Sequence, residues 1–354
     1  MRRRTKHRNR RRSGIGLPAA VTLCLAASLL LFSKAGGEEA VQQLIDHLAG
    51  DSGFIARAVS LELGLSTDTA EVYAPRTAAA ARNESANDPL AESAYIPHDA
   101  SNDAPVLDAA DKAATITVNN ETSYEVDVAA CLAADTAIHT TDDGPQVLIV
   151  HTHGSESYTP DAAFPYTPSE NTRTTDTHYN VVRVGDELQK VLEENGVPAV
   201  HIRDIFDSPT YSGSYDRSLA AIDQALAEYP SIKVVIDVHR DSILADDGTA
   251  YKTSCTVDGV ETAQLMFVVG TDEGGLYHPN WQQNLNYVTG LQYTLNRTYP
   301  GLMRPVNLRT QRFNQHASAG SMLLEVGSSG NTMTEALAAI RLFGQTLAAD
   351  LTGA

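Results

Sequence analysis

The stretch VLIVHTHGSESYTP, residues 147–160, places two histidines and a glutamate directly after a run of four apolar residues. An apolar run of this length is typical of a buried strand in a parallel sheet. His151, His153 and Glu156 follow at the point where the strand ends. Because ligands of open α/β sheets bind at the carboxyl ends of the strands, the stretch predicts both a fold class and a site.

Strand and helix patterns alternate from Val147 to the C-terminus. Helical spacing of apolar residues occurs at 180–196 and 216–230, and a capping box of Thr332 and Glu335 begins a last helix. Further apolar runs that predict strands lie at 197–204, 232–241, 263–272 and 321–327. This order predicts an α/β fold, a twisted and mostly parallel sheet flanked by helices.

The segment before Val147 has a different pattern. Residues 114–132 alternate in polarity, which predicts an edge strand or a hairpin with a turn at Asn119-Asn120. We place the start of the folded domain at 115 and its end at 354. Residues 66–114 are rich in Ala, Asp, Ser, Thr and Pro, a composition that predicts a flexible linker.

Two more predicted strands end in ionisable residues. The run VVID leads to His239, Arg240 and Asp241, and the run MLL leads to Glu325. Imidazole nitrogens and carboxylate oxygens gathered at one edge of a sheet suit Zn²⁺, and a catalytic zinc site leaves one coordination position open. Together with His153 and Glu156, these residues predict a metal site.

The other histidines and Ser155 have simpler interpretations. His151 lies two residues before His153 and therefore on the same side of an extended strand, so it is either a ligand or a partner of one. Ser155 lacks the GxSxG context of a serine nucleophile. We interpret the remaining candidates as surface residues or as partners of ligands: His98, His139, His178, His201, His278 and His316.

The N-terminus predicts export. Residues 1–14 form a basic tail, 15–33 are an uncharged apolar segment, and 34–65 contain short helix-like spacing. The apolar segment is just long enough to span a bilayer, and arginines before it predict a cytoplasmic N-terminus. A cleaved signal peptide is the alternative, since Ser33-Lys34-Ala35 resembles a cleavage site. Either interpretation places the following residues outside the cytoplasm.

Charge and cysteine content narrow the function further. The chain carries a net charge of −18 although its first 12 residues are strongly basic, so the exported part is acidic and nucleic-acid binding is not expected. Outside the apolar segment only Cys131 and Cys255 remain. They either form a disulfide or are small buried residues, and no CxxC spacing predicts a thiolate metal site.

Several blocks together resemble the stage II sporulation protein P family. They are GPQVLIVHTHGSESYTP, RTTDTHYNVVRVGDEL, YSGSYDRS, IDVHRDS, FVVGTD, FNQH and MLLEVGSSGNTMTEA, which extend the likeness from about Thr115 to the C-terminus. The resemblance implies a membrane-anchored zinc N-acetylmuramoyl-L-alanine amidase, with a zinc amidase-like fold, that removes stem peptides from peptidoglycan. It also implies an endopeptidase activity on cross-links. The family acts in engulfment of the forespore, with a lytic transglycosylase and a multispanning membrane protein as partners.

The resemblance also implies roles for individual residues. His153 and His239 match zinc ligands, and Glu325 matches the catalytic carboxylate. The third ligand departs from the general amidase pattern, so we expect Glu156 and keep Asp176 as the alternative. Arg240 either stabilises the developing negative charge or forms a structural ion pair. The alternative function is a catalytically degenerate wall-binding or scaffold protein, which the presence of all candidate ligands disfavours.

Overall fold

The computed structural model describes residues 109–136, 138, 144–169 and 171–353. The predicted basic tail, membrane anchor and helical segment, residues 1–65, lie outside this range. Most of the predicted linker lies outside it as well, and so do His98 and His139. Within the described part of the chain, no helix combines the length and the apolar character needed to cross a membrane.

The described residues contain nine strands and six α-helices. The strands are β1 Val118–Asn120, β2 Val147–Val150, β3 Ala199–His201, β4 Val234–Asp241, β5 Ser254–Val257, β6 Val260–Ala263, β7 Leu265–Gly270, β8 Val306–Arg309 and β9 Gly320–Ser328. The helices are α1 Ala109–Ala113, α2 Val128–Ala133, α3 Val181–Glu194, α4 Ser214–Glu228, α5 Trp281–Thr298 and α6 Met333–Thr352. A short 3-10 helix, Gln315–Ala317, precedes β9.

Seven of the strands form one sheet in the order β1-β8-β7-β9-β4-β2-β3. Neighbours within the group β9, β4, β2 and β3 are parallel, and so are neighbours within the group β1, β8 and β7. The two groups meet at β7 and β9, which are antiparallel. The prediction of a mostly parallel sheet flanked by helices is confirmed.

One face of the sheet is covered by α3, α5 and α6. Leu188 of α3, Leu291 of α5 and Phe343 of α6 are buried in one core cluster with Ile236 of β4 and Phe267 of β7. Each of these five side chains is at most 2% exposed. Burial of such side chains stabilises the fold by roughly 1.5–3 kcal/mol each.

The opposite face is covered over only part of its width. Here Ala221 and Ile222 of α4 pack with Leu148, Val150 and Val235, which belong to β2 and β4. Over β7 and β9 the same face carries a separate small cluster, Met266, Val268 and Leu323, packed against Phe313. This part of the face forms the floor of a cleft described below.

Helices α3 and α6 carry capping or stop residues at their ends. Asn180 caps α3 by accepting a hydrogen bond from Val182 N at 3.0 Å, and Gly196 adopts φ 80° just after the helix. Thr332 and Glu335 form the predicted capping box of α6. Cys131 and Cys255 are both free thiols in the structure.

The hairpin prediction for residues 114–132 is wrong. Its edge-strand alternative is confirmed by β1, which pairs in parallel with β8. After β1 the chain turns, because Asn120 Oδ1 accepts a hydrogen bond from Thr122 N at 2.9 Å. Asp127 then caps α2 by accepting from Ala130 N. The described structure also begins before 115, since α1 lies within the predicted linker.

Besides α1, α2 and the 3-10 helix, three parts of the fold were not predicted from the sequence. The β5–β6 hairpin turns at Asp258 and Gly259, with φ of 50° and 81°, a sequence signal that was available. It splits the predicted strand 263–272, since β6 ends at Ala263 and β7 begins at Leu265. The others are α5 and β8.

Candidate metal centre

The three predicted strand ends meet at one edge of the sheet. Strands β2, β4 and β9 are neighbours in the same parallel group, so their carboxyl ends lie side by side. His239 of β4 and Glu325 of β9 are Cα partners in the register. His153 and Glu156 lie in the loop that follows β2.

His153, Glu156 and His239 form the cluster that the sequence predicts. Each offers a ligand atom within 4.8 Å of the others, and all three side chains are buried. Glu156 lies between the two histidines, with Oε1 3.6 Å from His153 Nδ1 and Oε2 3.3 Å from His239 Nδ1. The histidine rings are nearly perpendicular, at 84°.

Two arginines hold the Glu156 carboxylate in place. Arg240 N donates to Oε2 at 3.1 Å, and Arg173 Nη2 lies 3.2 Å from Oε1. Arg173 also pairs with Asp207, whose carboxylate accepts from Ser155 N and Oγ. Burial alone would raise the pKa of Glu156, but His153 and His239 hold that pKa well below its usual value.

His239 is oriented by a carboxylate that the sequence analysis missed. Asp237 lies two residues earlier on the same side of β4, and its Oδ1 is 2.9 Å from His239 Nε2. The two atoms are within ion-pair distance, and the pair carries opposite charges when His239 is protonated. Thr152 fixes the carboxylate by donating from N at 2.8 Å and from Oγ1 at 2.6 Å. The spacing Asp-x-His on one strand was the available signal.

The charge on His239 depends on these carboxylates. Burial lowers the pKa of His239, but Asp237 and Glu156 outweigh it and hold that pKa well above the usual value. A metal ion would therefore have to displace a proton from this ring, since only neutral imidazole is a ligand.

The residues present fit a zinc ion. Two imidazoles and one carboxylate are a common donor set of catalytic zinc sites. His153 Nε2 is buried and has no hydrogen-bond partner among the described residues. The Asp237 carboxylate behind His239 is the kind of outer partner that orients a metal-binding histidine.

Glu325 lies beside this cluster, as predicted, because it is the Cα partner of His239 in the register of β4 and β9. It lines the same cleft as His153, Glu156 and His239, and its Oε2 has no hydrogen-bond partner within the described structure. Burial raises the pKa of Glu325 to about 8, with a smaller contribution from the charge of Glu156. A carboxylate of this kind can accept a proton near neutral pH.

Arg240 is buried and is bound by main-chain oxygens. Its Nε donates to Ser157 O at 2.9 Å, and its Nη2 donates to Thr172 O at 2.7 Å. It therefore ties the loop after β2 to the end of β4. It also lines the cleft, and its predicted catalytic role stays a prediction.

Neither alternative ligand lies in the described cluster. His151 is fully buried, with Nδ1 3.0 Å from Val238 O and Nε2 2.7 Å from His201 Nε2. His201 is likewise buried, against Asp186 at 3.2 Å. Asp176 is exposed and pairs with His178 at 2.9 Å.

A cleft of about 700 Å³ opens above the cluster. On one side, Tyr211 stacks on His153 with ring centroids 4.6 Å apart, and Arg173 Cζ lies over the Tyr211 ring, 5.2 Å from its centroid. Tyr215 meets the edge of His153 at 5.4 Å. Tyr211 is 56% exposed and lines the cleft, so a substrate bound there can contact it.

Two histidines away from the cluster make the free energy of unfolding depend on pH. His278 is fully buried, and burial lowers the pKa values of His278 and His316 to about 4. Both pKa values lie below that of an unfolded histidine. The free energy of unfolding is therefore at its full value above about pH 6.5 and decreases as the pH falls towards 4.

At pH 5 we expect His278 alone to cost about 2 kcal/mol of unfolding free energy. Urea unfolding at pH 7.5 and at pH 5 measures the loss in the protein and in a His278→Gln variant. The variant should lose less stability between the two pH values. An equal loss in both proteins would show that His278 is charged in the folded state.

Comparison with protein families identifies the chain. The sequence profile described as stage II sporulation protein P (SpoIIP) matches residues 65–348. The chain belongs to the stage II sporulation protein P family. The matched range contains every residue of the cluster and also includes the predicted linker.

A relative within this family is the stage II sporulation protein P of Bacillus subtilis (strain 168). It is 30% identical over 207 residues, which are 55% of this chain and 48% of the relative. The match thus spans about half the length of that relative. Family membership rests on the profile match, and the activity of this chain is argued from its own residues.

The solved structures that resemble the fold are distant in sequence. Ami1, an N-acetylmuramyl-L-alanine amidase from Mycobacterium smegmatis, is 11% identical, with a TM-score of 0.37, and covers 60% of this chain and 100% of its own. The amidase AmiC2 of Nostoc punctiforme is 14% identical, with a TM-score of 0.33, over 60% of this chain and 97% of its own. Likeness at this level leaves the chemistry to be argued from the site.

Proposed function

We propose that the protein is a zinc-dependent peptidoglycan hydrolase, an N-acetylmuramoyl-L-alanine amidase that removes stem peptides from the glycan. The observation that supports it most is the buried His153–Glu156–His239 cluster with Glu325 beside it at the floor of an open cleft. Membership in a sporulation family supports the same proposal. An endopeptidase activity on cross-links and a role in forespore engulfment belong to the proposal as well.

The proposed chemistry divides between a bound ion and the residues around it. His153, Glu156 and His239 would hold Zn²⁺, which when bound acts as a Lewis acid that polarises a carbonyl and activates water. Glu325 takes the proton of the attacking water and returns it to the nitrogen of the leaving amine. Asp237 keeps His239 oriented, and Arg240 keeps Glu156 in place.

Metal removal tests this proposal. The purified protein, loaded with zinc, should release free stem peptides from purified peptidoglycan, detected by mass analysis as peptides with a new L-alanine amino terminus. Dialysis against a chelator should abolish the release, and equimolar zinc should restore it. Release that is unaffected by the chelator would overturn the metal dependence.

The same experiment separates the enzyme from the alternative function. A catalytically degenerate wall-binding protein would sediment with the peptidoglycan. It would neither release peptides nor split cross-links. Separation of cross-linked peptide dimers into monomers would identify the endopeptidase activity.

The cellular setting is part of the proposal. We infer a single membrane anchor at residues 15–33, a cytoplasmic N-terminus and a hydrolase domain outside the cytoplasm. The proposed partners are a lytic transglycosylase and a multispanning membrane protein of the engulfment complex. The positive charge before residue 15 and the acidic remainder support this orientation.

A further inference from the structure

The cleft extends well beyond the metal cluster. Its floor is the uncovered part of the sheet face, where Met266 lies next to Glu325 and Val268 lies next to Leu323 in the register of β7 and β9. On the far side Val268 pairs with Asn307, and Gly270 pairs with Arg309. The lining therefore continues from the metal edge of the sheet along β7 to Arg309.

The length of this floor suits a short extended chain. The four residue steps from Met266 to Gly270 correspond to about 13 Å of strand. An extended peptide of about four residues has the same length. The floor itself is aliphatic, and Met266, Val268 and Leu323 form their own small cluster apart from the main core.

Arginines lie at both ends of the floor. Arg304 Nη1 is 2.7 Å from Asp241 Oδ2 near the metal cluster. At the far end Arg309 Nη1 is 2.9 Å from Glu121 Oε1, an exposed contact that involves one nitrogen of the guanidinium group. The cleft is lined by four arginines, these two with Arg173 and Arg240, and by three carboxylates, Glu156, Asp241 and Glu325. Its charges are therefore close to balanced, whereas the chain as a whole carries −18.

Two polar atoms of the lining have no partner in the described structure. Ser329 is only 2% exposed, and its Oγ makes no hydrogen bond. Asn307 Oδ1 is also buried without a hydrogen bond. Unpaired buried polar atoms are costly, and both residues belong to the lining of the cleft.

We propose that this arm of the cleft binds the stem-peptide side of the substrate and that Arg309 selects peptides with a free carboxylate at the far end. The proposal rests on the proposed amidase function. Stem peptides are short and carry free carboxylates, whereas the sugar units of the glycan strand are neutral. The guanidinium group of arginine binds a carboxylate through two parallel hydrogen bonds. Arg309 is thus a specificity-determining residue.

Two matched substrates test the proposal in the zinc-loaded full chain. One is a muramoyl tetrapeptide with free carboxylates, and the other has the same sequence with every carboxylate converted to a carboxamide. We expect kcat/KM to be about tenfold higher for the substrate with free carboxylates, because its KM is lower. Arg309→Gln should remove this preference by weakening the carboxylate form alone. Arg309 is chosen because its loss leaves only the exposed Glu121 without its partner.

The control is Arg297→Gln, which removes the same charge from an exposed position on α5, the helix that covers the opposite face of the sheet. It should leave both substrates unchanged. Equal kcat/KM for the two substrates in the unsubstituted protein would overturn the proposal. So would an Arg309→Gln effect that is the same for both.

A binding measurement separates this inference from the proposed function. Calorimetric titration of the free tetrapeptide into the zinc-loaded protein should give a Kd that Arg309→Gln weakens about tenfold. Binding of this kind without any turnover would overturn the amidase function and keep the subsite. Turnover without a carboxylate preference would overturn the subsite and keep the function.

Discussion

Replacing Glu325 by Gln should lower the rate of hydrolysis by about 10²–10⁴-fold while the protein keeps its zinc. Glu325 is outside the group of three ligands but next to His239 in the register, and it lines the cleft. Glutamine has nearly the same shape and cannot accept the proton of water. Zinc content by metal analysis and peptide release from peptidoglycan measure the two properties separately.

Burial gives Glu325 a pKa of about 8, which would leave it largely protonated at neutral pH. A cation held by His153, Glu156 and His239 lowers that pKa, because a nearby positive charge favours the carboxylate. Metal binding and the ionisation of the base are therefore linked. The rate should fall as the pH decreases through the lowered pKa of Glu325, and this acid limb should be absent in Glu325→Gln.

Glu156→Gln is the matched comparison, since it makes the same chemical change at a proposed ligand. It should weaken zinc affinity, because a charged oxygen ligand becomes a neutral amide. It also leaves Arg173 without one of its two carboxylate partners. If added zinc restored hydrolysis in Glu325→Gln and not in Glu156→Gln, the two roles would be exchanged.

The edge of the sheet that carries the site could be predicted because its signals are local. In β2, β4 and β9 an apolar run precedes the polar residue, and parallel neighbours bring such ends together. His153, Glu156, His239 and Glu325 therefore followed from strand ends alone. The loop after β2 turns His153 and Glu156 towards β4.

Other parts of the site depend on long-range pairing that a single sequence does not display. Asp237 is an exception, because its spacing to His239 is visible in the sequence, but within the apolar run of β4 it resembles a strand position in the core. The floor of the cleft exists because β7 runs antiparallel to β9, which places Met266 beside Glu325. The edge position of β1 depends on β8, and Val118 pairs with Val306 far along the chain.

His239 pairs with two carboxylates, which makes its removal a direct test of the metal site. Its Nδ1 faces Glu156 at 3.3 Å and its Nε2 faces Asp237 at 2.9 Å. Both carboxylates keep other donors when the ring is removed. Asp237 still accepts two hydrogen bonds from Thr152, and Glu156 still accepts from Arg240 and Arg173. The fold should therefore survive the substitution.

His239→Ala should abolish stoichiometric zinc binding and hydrolysis, because two ligands remain where a catalytic zinc site uses three. Metal analysis after dialysis and a urea unfolding curve measure metal content and folding in the same sample. His178→Ala is the control, since that exposed ring pairs only with Asp176 in the described structure, and it should keep one zinc per chain. Zinc retained in full by His239→Ala would show that His239 is not a ligand, and zinc lost in His178→Ala would indicate a metal site near Asp176.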